Sequence, residues 1–131
     1  MPPPFQDLDL VEFDRLLGRF PFERRMTAIH LHHTWRPALK ERRGYPTLRT
    51  IWYTHTLHRG WSDIAQHLTI APDGTLWTGR DWNRPPCSSR GMNGSRKEGP
   101  FMIALVGNFN AGGDELAGVQ RERTLDVIVR L

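Results

Sequence analysis

The chain has 131 residues, a formal net charge of +4 and one cysteine, Cys87. That length fits a single domain that hides roughly two thirds of its unfolded surface. A lone cysteine excludes an internal disulfide framework, and no apolar run approaches the ~18 residues of a membrane-spanning helix.

The positive residues are scattered in pairs, Arg24-Arg25, Arg42-Arg43 and Arg96-Lys97. They read as solvated surface, and no nucleic-acid partner is expected. The start, Met1-Pro2-Pro3-Pro4-Phe5, lacks a basic segment followed by an apolar one. No signal peptide is therefore expected, which points to the cytoplasm or to release by another route. Five tryptophans, at 35, 52, 61, 77 and 82, are many for this length. Most are expected in the core, although amphipathic rings also suit sugar or peptide contact.

Residues 1–7 form a proline-rich lead-in expected to be mobile. Asp9 followed by Glu12 is a capping pair, and Leu10, Phe13, Leu17 and Phe20 then share a helical face that Pro21 ends. Met26 to His33 reads as the first strand, with Ala28, His30 and His32 on one face and Thr27, Ile29, Leu31 and His33 on the other. Arg36 to Pro46 reads as loop. A second helix is expected from about Thr47 to Arg59, burying Leu48, Ile51, Trp52 and His55, with Gly60 as its stop.

Ile64 to Ala71 and Thr75 to Gly79 flank the turn Pro72-Asp73-Gly74, which predicts a hairpin. Residues 80–99 lack periodicity and read as one long loop, usually a sign of function or disorder. Phe101 to Gly107 is apolar throughout and predicts a central strand covered on both faces. After a glycine-rich turn from Asn108 to Asp114, a third helix is expected from about Leu116, and the sequence ends within its pattern at Leu131.

The densest chemistry lies in Ile29-His30-Leu31-His32-His33-Thr34, with three histidines in four residues. A neutral imidazole near the end of a buried strand suits zinc, and a catalytic zinc needs about three protein ligands and an open position for water. The remaining candidates are His55, His58, His67 and Cys87. His55 reads rather as a packing residue, His58 as a helix C-terminal imidazole favoured by the dipole, and Cys87 as a surface thiol. His67 points away from Gln66, because neighbours on a strand face opposite ways. A metal hydrolase site built from His30, His32 and Cys87 stays open as a minor reading.

Taken together, several segments resemble a known family. They are Leu31-His32-His33-Thr34; Arg59-Gly60-Trp61-Ser62-Asp63-Ile64-Ala65-Gln66-His67; Pro72-Asp73-Gly74-Thr75 with Gly79-Arg80; Gly91-Met92-Asn93; and Ala104-Leu105-Val106-Gly107-Asn108-Phe109. Their order and spacing look like the zinc-dependent N-acetylmuramoyl-L-alanine amidases, which include phage lysozyme-like amidases and the peptidoglycan recognition proteins. The resemblance implies an α/β single domain over 1–131, with a central mixed β-sheet flanked by helices.

It also implies a function at the cell wall: hydrolysis of the amide between N-acetylmuramic acid and the first L-alanine of the stem peptide, by zinc-activated water. The alternative is a non-catalytic module that binds peptidoglycan or muramyl peptide in the same groove. By resemblance His32 is the first Zn2+ ligand, and Gln66 stands where many members place a catalytic tyrosine. Trp61, Ser88 and Asn93 are expected to contact substrate, with Ser88 in the place of a histidine usual in the family. The family's other two ligands, a His and a Cys or Asp, follow the last helix, so the expected domain is short of that segment.

Overall fold

A computed structural model describes residues 4–35, 44–87 and 89–131. Its elements are β1 (Asp7–Leu8), α1 (Leu10–Arg19), β2 (Arg25–His33), α2 (Tyr45–Tyr53), β3 (Leu68–Ile70), β4 (Leu76–Thr78), β5 (Glu98–Leu105) and α3 (Gly118–Arg130). A π-helical turn, Thr54–His58, continues α2. The strands form one mixed sheet in the order β1-β4-β3-β5-β2. β4 is antiparallel to both β1 and β3, whereas β5 is parallel to β3 and β2. None of the described helices is long and apolar enough to cross a membrane.

Phe101, Ile103 and Leu105 of β5 join Leu68, Ile70, Leu76, Phe13 and Val127 in the larger core cluster, which α1 and α3 cover. The other sheet face carries a smaller cluster. Leu48 and Ile51 of α2 meet Phe5 and Ile64 there, with Trp77 packed against them. Trp77 and its neighbour Leu76 thus serve opposite faces, as strand alternation requires. Apart from Glu98, every residue of β5 is buried, as expected for a central parallel strand.

Asp9 caps α1 as its sequence predicts. Asp9 Oδ1 accepts from the Glu12 N–H at 2.8 Å, and Glu12 Oε1 accepts from the Asp9 N–H at 3.1 Å. α2 begins two residues earlier than expected because Pro46 sits in its first turn, where the missing N–H costs nothing. α3 buries Gln120, Thr124 and Val127, while Leu125 and Val129 are exposed. The Gln120 amide donates to the carbonyls of Ile70 and Val106, so a polar side chain pins this helix to the sheet.

Four expectations are corrected here. The lead-in is held from Phe5 onward: Phe5 is buried, the Gln6 N–H donates to Thr78 Oγ1, and Asp7–Leu8 pairs with β4. The segment from Ile64 to His67 is not regular strand. Its polar groups turn to other partners: Ala65 O accepts from Cys87 N–H, Gln66 O accepts from Arg80 N–H, and Ala65 N–H donates to His55 Nδ1. β5 starts at Glu98, inside the stretch read as loop. Of the basic pairs, Arg25 is exposed and bonded to Glu98, but Arg24 is buried. Its guanidinium donates to the carbonyls of Asn93, Ser95 and Pro100, so it clasps the loop instead of facing water. Arg42 and Arg43 lie outside the described residues.

Gly79 marks a close backbone approach. A Cβ there would run into the carbonyl oxygen of Gln66 and press on the Ile64 side chain. Gly79→Ala is expected to cost about 2 kcal/mol, the usual scale of forced overpacking, read as a lower midpoint in urea unfolding. An unchanged midpoint would show that the two backbone segments separate freely.

Candidate functional site

A cleft of about 690 Å³ opens between the sheet and the α2 side. Its floor includes His32, Met102 and Ala104 from neighbouring parallel strands, with His32 opposite Ala104 in register. Its wall includes Ile51, His55 and Arg59. Trp61 and Gln66 also face the cleft, as do Trp35 and His33.

The π-helical turn shapes that wall. A wider turn shifts the angular position of every later side chain, and such insertions recur at functional sites. Here the Arg59 N–H reaches back to Thr54 O at 3.1 Å, and the Trp61 N–H donates to His55 O at 3.0 Å. The Trp61 ring then meets the His55 ring edge-on at 5.0 Å, and the Arg59 guanidinium lies over Trp61 at 5.5 Å. His55 is therefore not merely the packing residue expected. It lines the cleft while its Nδ1 accepts from Ala65 N–H at 3.0 Å. Burial, then the nearby Arg59 and Arg80 charges, pushes its pKa down to about 4, so His55 is neutral at pH 7.

His32 is half-buried on β2. Its Nε2 and the Ser89 Oγ are hydrogen-bonded at 3.0 Å. Burial lowers its pKa first, and the neighbouring His30 and His33 lower it further. His30 has a buried Nδ1 without a partner among the described residues. His33 Nδ1 accepts from the Phe109 N–H at 3.0 Å, which ties the end of β2 to the turn after β5. Ser89 is a residue that sequence reasoning missed. Its neighbour Ser88, the expected contact, lies outside the described residues. The signal was its place in the loop before Gly91-Met92-Asn93, where one residue decides which side chain meets His32.

The other expected residues divide. Trp61 lines the cleft. Gln66 also lines it but is almost fully buried, and its Nε2 donates to Thr69 Oγ1 at 2.9 Å. Asn93 is not part of the cleft lining. Its Oδ1 accepts from the Ser89 N–H and its carbonyl accepts from Arg24, so it shapes the loop that presents Ser89. His67 is buried against Phe101, with Nε2–H donating to Arg84 O and Nδ1 accepting from Met102 N–H. Cys87 is a half-buried free thiol.

Zinc would need about three ligands converging on one point. Among the described residues, no three His, Cys, Asp or Glu side chains gather closely enough to hold an ion. The set His30, His32 and Cys87 is therefore not assembled. His32 stands at the cleft with a serine hydroxyl as its ring partner, and the described donors do not make up a closed metal centre.

No family model matches the chain. A search of curated proteins finds human N-acetylmuramoyl-L-alanine amidase, 31% identical over 86 residues, which are 63% of this chain and 14% of that protein. Among solved structures, a point mutant of Drosophila PGRP-LB in complex with tracheal cytotoxin superposes with a TM-score of 0.69 at 23% identity. That match covers 82% of this chain and 62% of the other. Bumblebee PGRP-SA gives 0.65 at 24%, covering 79% and 59%. This chain is similar in sequence to part of an N-acetylmuramoyl-L-alanine amidase and similar in fold to the peptidoglycan recognition proteins. It spans only a small part of the curated amidase and about three fifths of the recognition proteins it superposes on. The mixed sheet flanked by helices is the architecture of these recognition proteins.

Proposed function

We propose that the cleft binds a muramyl peptide, the sugar-peptide unit of peptidoglycan. What carries this reading is a cleft of about 690 Å³, lined by aromatic and imidazole side chains, on the fold that PGRP-LB has in its complex with tracheal cytotoxin. Trp35 and Trp61 offer flat faces for apolar sugar or peptide surface. Neutral His55 and the Gln66 amide offer polar contacts that fix orientation.

The finer reading is amide hydrolysis between N-acetylmuramic acid and L-alanine. Its support is the human amidase relative and the position of His32 in the cleft. Two features favour binding over it. The described side chains supply no three-ligand metal group. Gln66 can donate a hydrogen bond to a developing oxyanion but has no proton to transfer at neutral pH.

Calorimetric titration of residues 1–131 with N-acetylmuramyl-L-alanyl-D-isoglutamine tests the reading. Saturable binding that EDTA changes by less than about twofold is expected, with Trp61→Ala weakening it about tenfold, as loss of an aromatic anchor does. Absence of binding would sink the proposal. Binding lost with EDTA, together with about one zinc per chain, would restore the metal reading.

A further inference from the structure

We propose that the loop between β4 and β5 docks an anionic cell-wall polymer, a chain of phosphodiesters, outside the cleft. The choice of a wall polymer rests on the muramyl-peptide reading, because this loop presents Ser89 to His32 at the cleft. The docking surface itself rests on three observations of charge, shape and rigidity.

From Trp82 to Lys97 the chain carries four cations, Arg84, Arg90, Arg96 and Lys97, and no Asp or Glu. Arg84 is half-buried and bonded to Ser62 Oγ. Arg90, Arg96 and Lys97 are exposed and make no ion pair among the described residues. The acid that follows them, Glu98, is neutralised by Arg25. The loop therefore shows water an uncompensated positive surface, which favours an anion.

Its shape favours a repeating anion. The loop is fastened near both ends of β2, with Ser89 bonded to His32 and Glu98 in register with Arg25. Those two strand positions are seven residues apart, roughly 23 Å of extended chain. Arg90 belongs to the His32 end, and Arg96 and Lys97 to the Arg25 end. A single phosphate meets one end of this row, whereas a chain of phosphates meets both.

The row is also held rigidly. The buried Arg24 guanidinium donates to the carbonyls of Asn93, Ser95 and Pro100. Met92 N–H donates to Ser89 O at 2.6 Å and Ser95 N–H to Glu98 O at 2.8 Å, which closes one turn beside Arg90 and another around Arg96 and Lys97. Gly94 and Gly99 approach so closely that a Cβ on either would collide with the other's backbone. Little of the loop is left to order on binding, so the attraction is not spent on ordering it. Nucleic acid is the other chain of phosphodiesters, but its single strands are gripped by aromatics on which bases stack. The aromatic of residues 80–99 is Trp82, and it is buried.

The test titrates residues 1–131 with purified poly(glycerol phosphate) by calorimetry, at about 50 and 200 mM salt. Binding that weakens steeply with salt is expected, and glycerol 3-phosphate should not bind at the same phosphate concentration. The triple variant Arg90→Gln, Arg96→Gln, Lys97→Gln should bind the polymer about tenfold more weakly, with a logarithmic salt slope shallower by about 2. Its affinity for N-acetylmuramyl-L-alanyl-D-isoglutamine should not change, since none of the three lines the cleft. A variant of equal net charge, Arg15→Gln, Arg19→Gln, Arg121→Gln on α1 and α3, should stay within about twofold of wild type for the polymer. Absence of polymer binding, equal losses in the two variants, monomer binding as tight as the polymer, or tighter binding of oligodeoxythymidylate with the same number of phosphates would overturn the inference. Each of these leaves muramyl-peptide binding in place, because that ligand is titrated in parallel. Failure of wild-type protein to bind the muramyl dipeptide would overturn that reading, and the assignment of the polymer to the wall with it.

Discussion

Lowering the pH from 7 to 4 is expected to remove about 3 kcal/mol or more of folding stability, before the carboxylates of this domain titrate fully. The cause is His67. Its Nε2–H donates to Arg84 O at 2.7 Å and its Nδ1 accepts from Met102 N–H at 3.0 Å, so both ring nitrogens are committed in the neutral form. A second ring proton would face the Met102 N–H. Burial is the main reason that its pKa falls to about 4, with Arg24 and Arg80 adding to the shift and the Arg84 carbonyl and Asp81 opposing it. In the unfolded chain the same imidazole titrates near 6.5. Between pH 6.5 and 4 the unfolded state therefore holds a proton that the folded state refuses. Stability is full above that window, falls through it and levels off below it. His55, also held near 4 but less deeply buried, adds a smaller loss in the same direction. Urea unfolding at pH 7, 6 and 5 reads the effect in a range where most carboxylates remain ionised. A flat profile would mean that His67 takes up its proton in the fold as readily as in the unfolded chain, and that its two bonds differ from those described.

The second large effect is expected from Arg80→Met, at about 3 kcal/mol. Arg80 is buried with Nε donating to Ile64 O at 2.8 Å, Nη2 to Asp63 O at 3.2 Å and Nη1 to Pro85 O at 3.4 Å. Methionine fills similar space but leaves three carbonyls without donors, and each such loss costs about 1–3 kcal/mol when the group cannot reach water. The consequence extends to the cleft. Asp63 Oδ1 accepts from Trp52 Nε1 and from the Ile64 N–H, and Ala65 lines the cleft beside Gln66. On the proposed reading of the cleft, affinity for muramyl peptide should fall as well. Lysine should rescue little, because one ammonium cannot reproduce a three-way fork. A methionine variant with wild-type urea midpoint would show that the segment from Asp63 to Ala65 is held by other contacts.

How far these features were legible from the chain alone depends on how local they are. Asp9 with Glu12 announces its own helix start, and Pro72-Asp73-Gly74 its own hairpin, because both are settled within a few residues. β5 was legible as a central strand from its unbroken apolar run. What the sequence could not place was the clasping role of Arg24 and Arg80. An arginine bonded to carbonyls about 70 residues away reads the same as one in water, and only the approach of two loops decides between them. The π-helical turn escaped for a related reason. Leu48, Ile51 and His55 keep the spacing of an ordinary helix, so the extra residue per turn leaves no mark in the pattern. At the site, His32, Trp61 and Gln66 do line the cleft, whereas Asn93 acts one bond removed, through the Ser89 N–H.

β2 carries His32, yet its ladder partner in the sheet is β5, and the bond between Gly107 and Thr34 that closes this pair joins residues 73 apart in sequence. On a ribosome, β2 emerges long before β5 exists. Ile29 and Leu31 must then wait without their sheet neighbours while the intervening chain is made, so the histidine strand is among the last elements to be secured. Loop closure over that distance is slow compared with forming α1 or the β3–β4 hairpin. The window in which an unpaired apolar strand can meet another copy is correspondingly long, and yield on expression should respond to synthesis rate and temperature more than to the final stability of the domain.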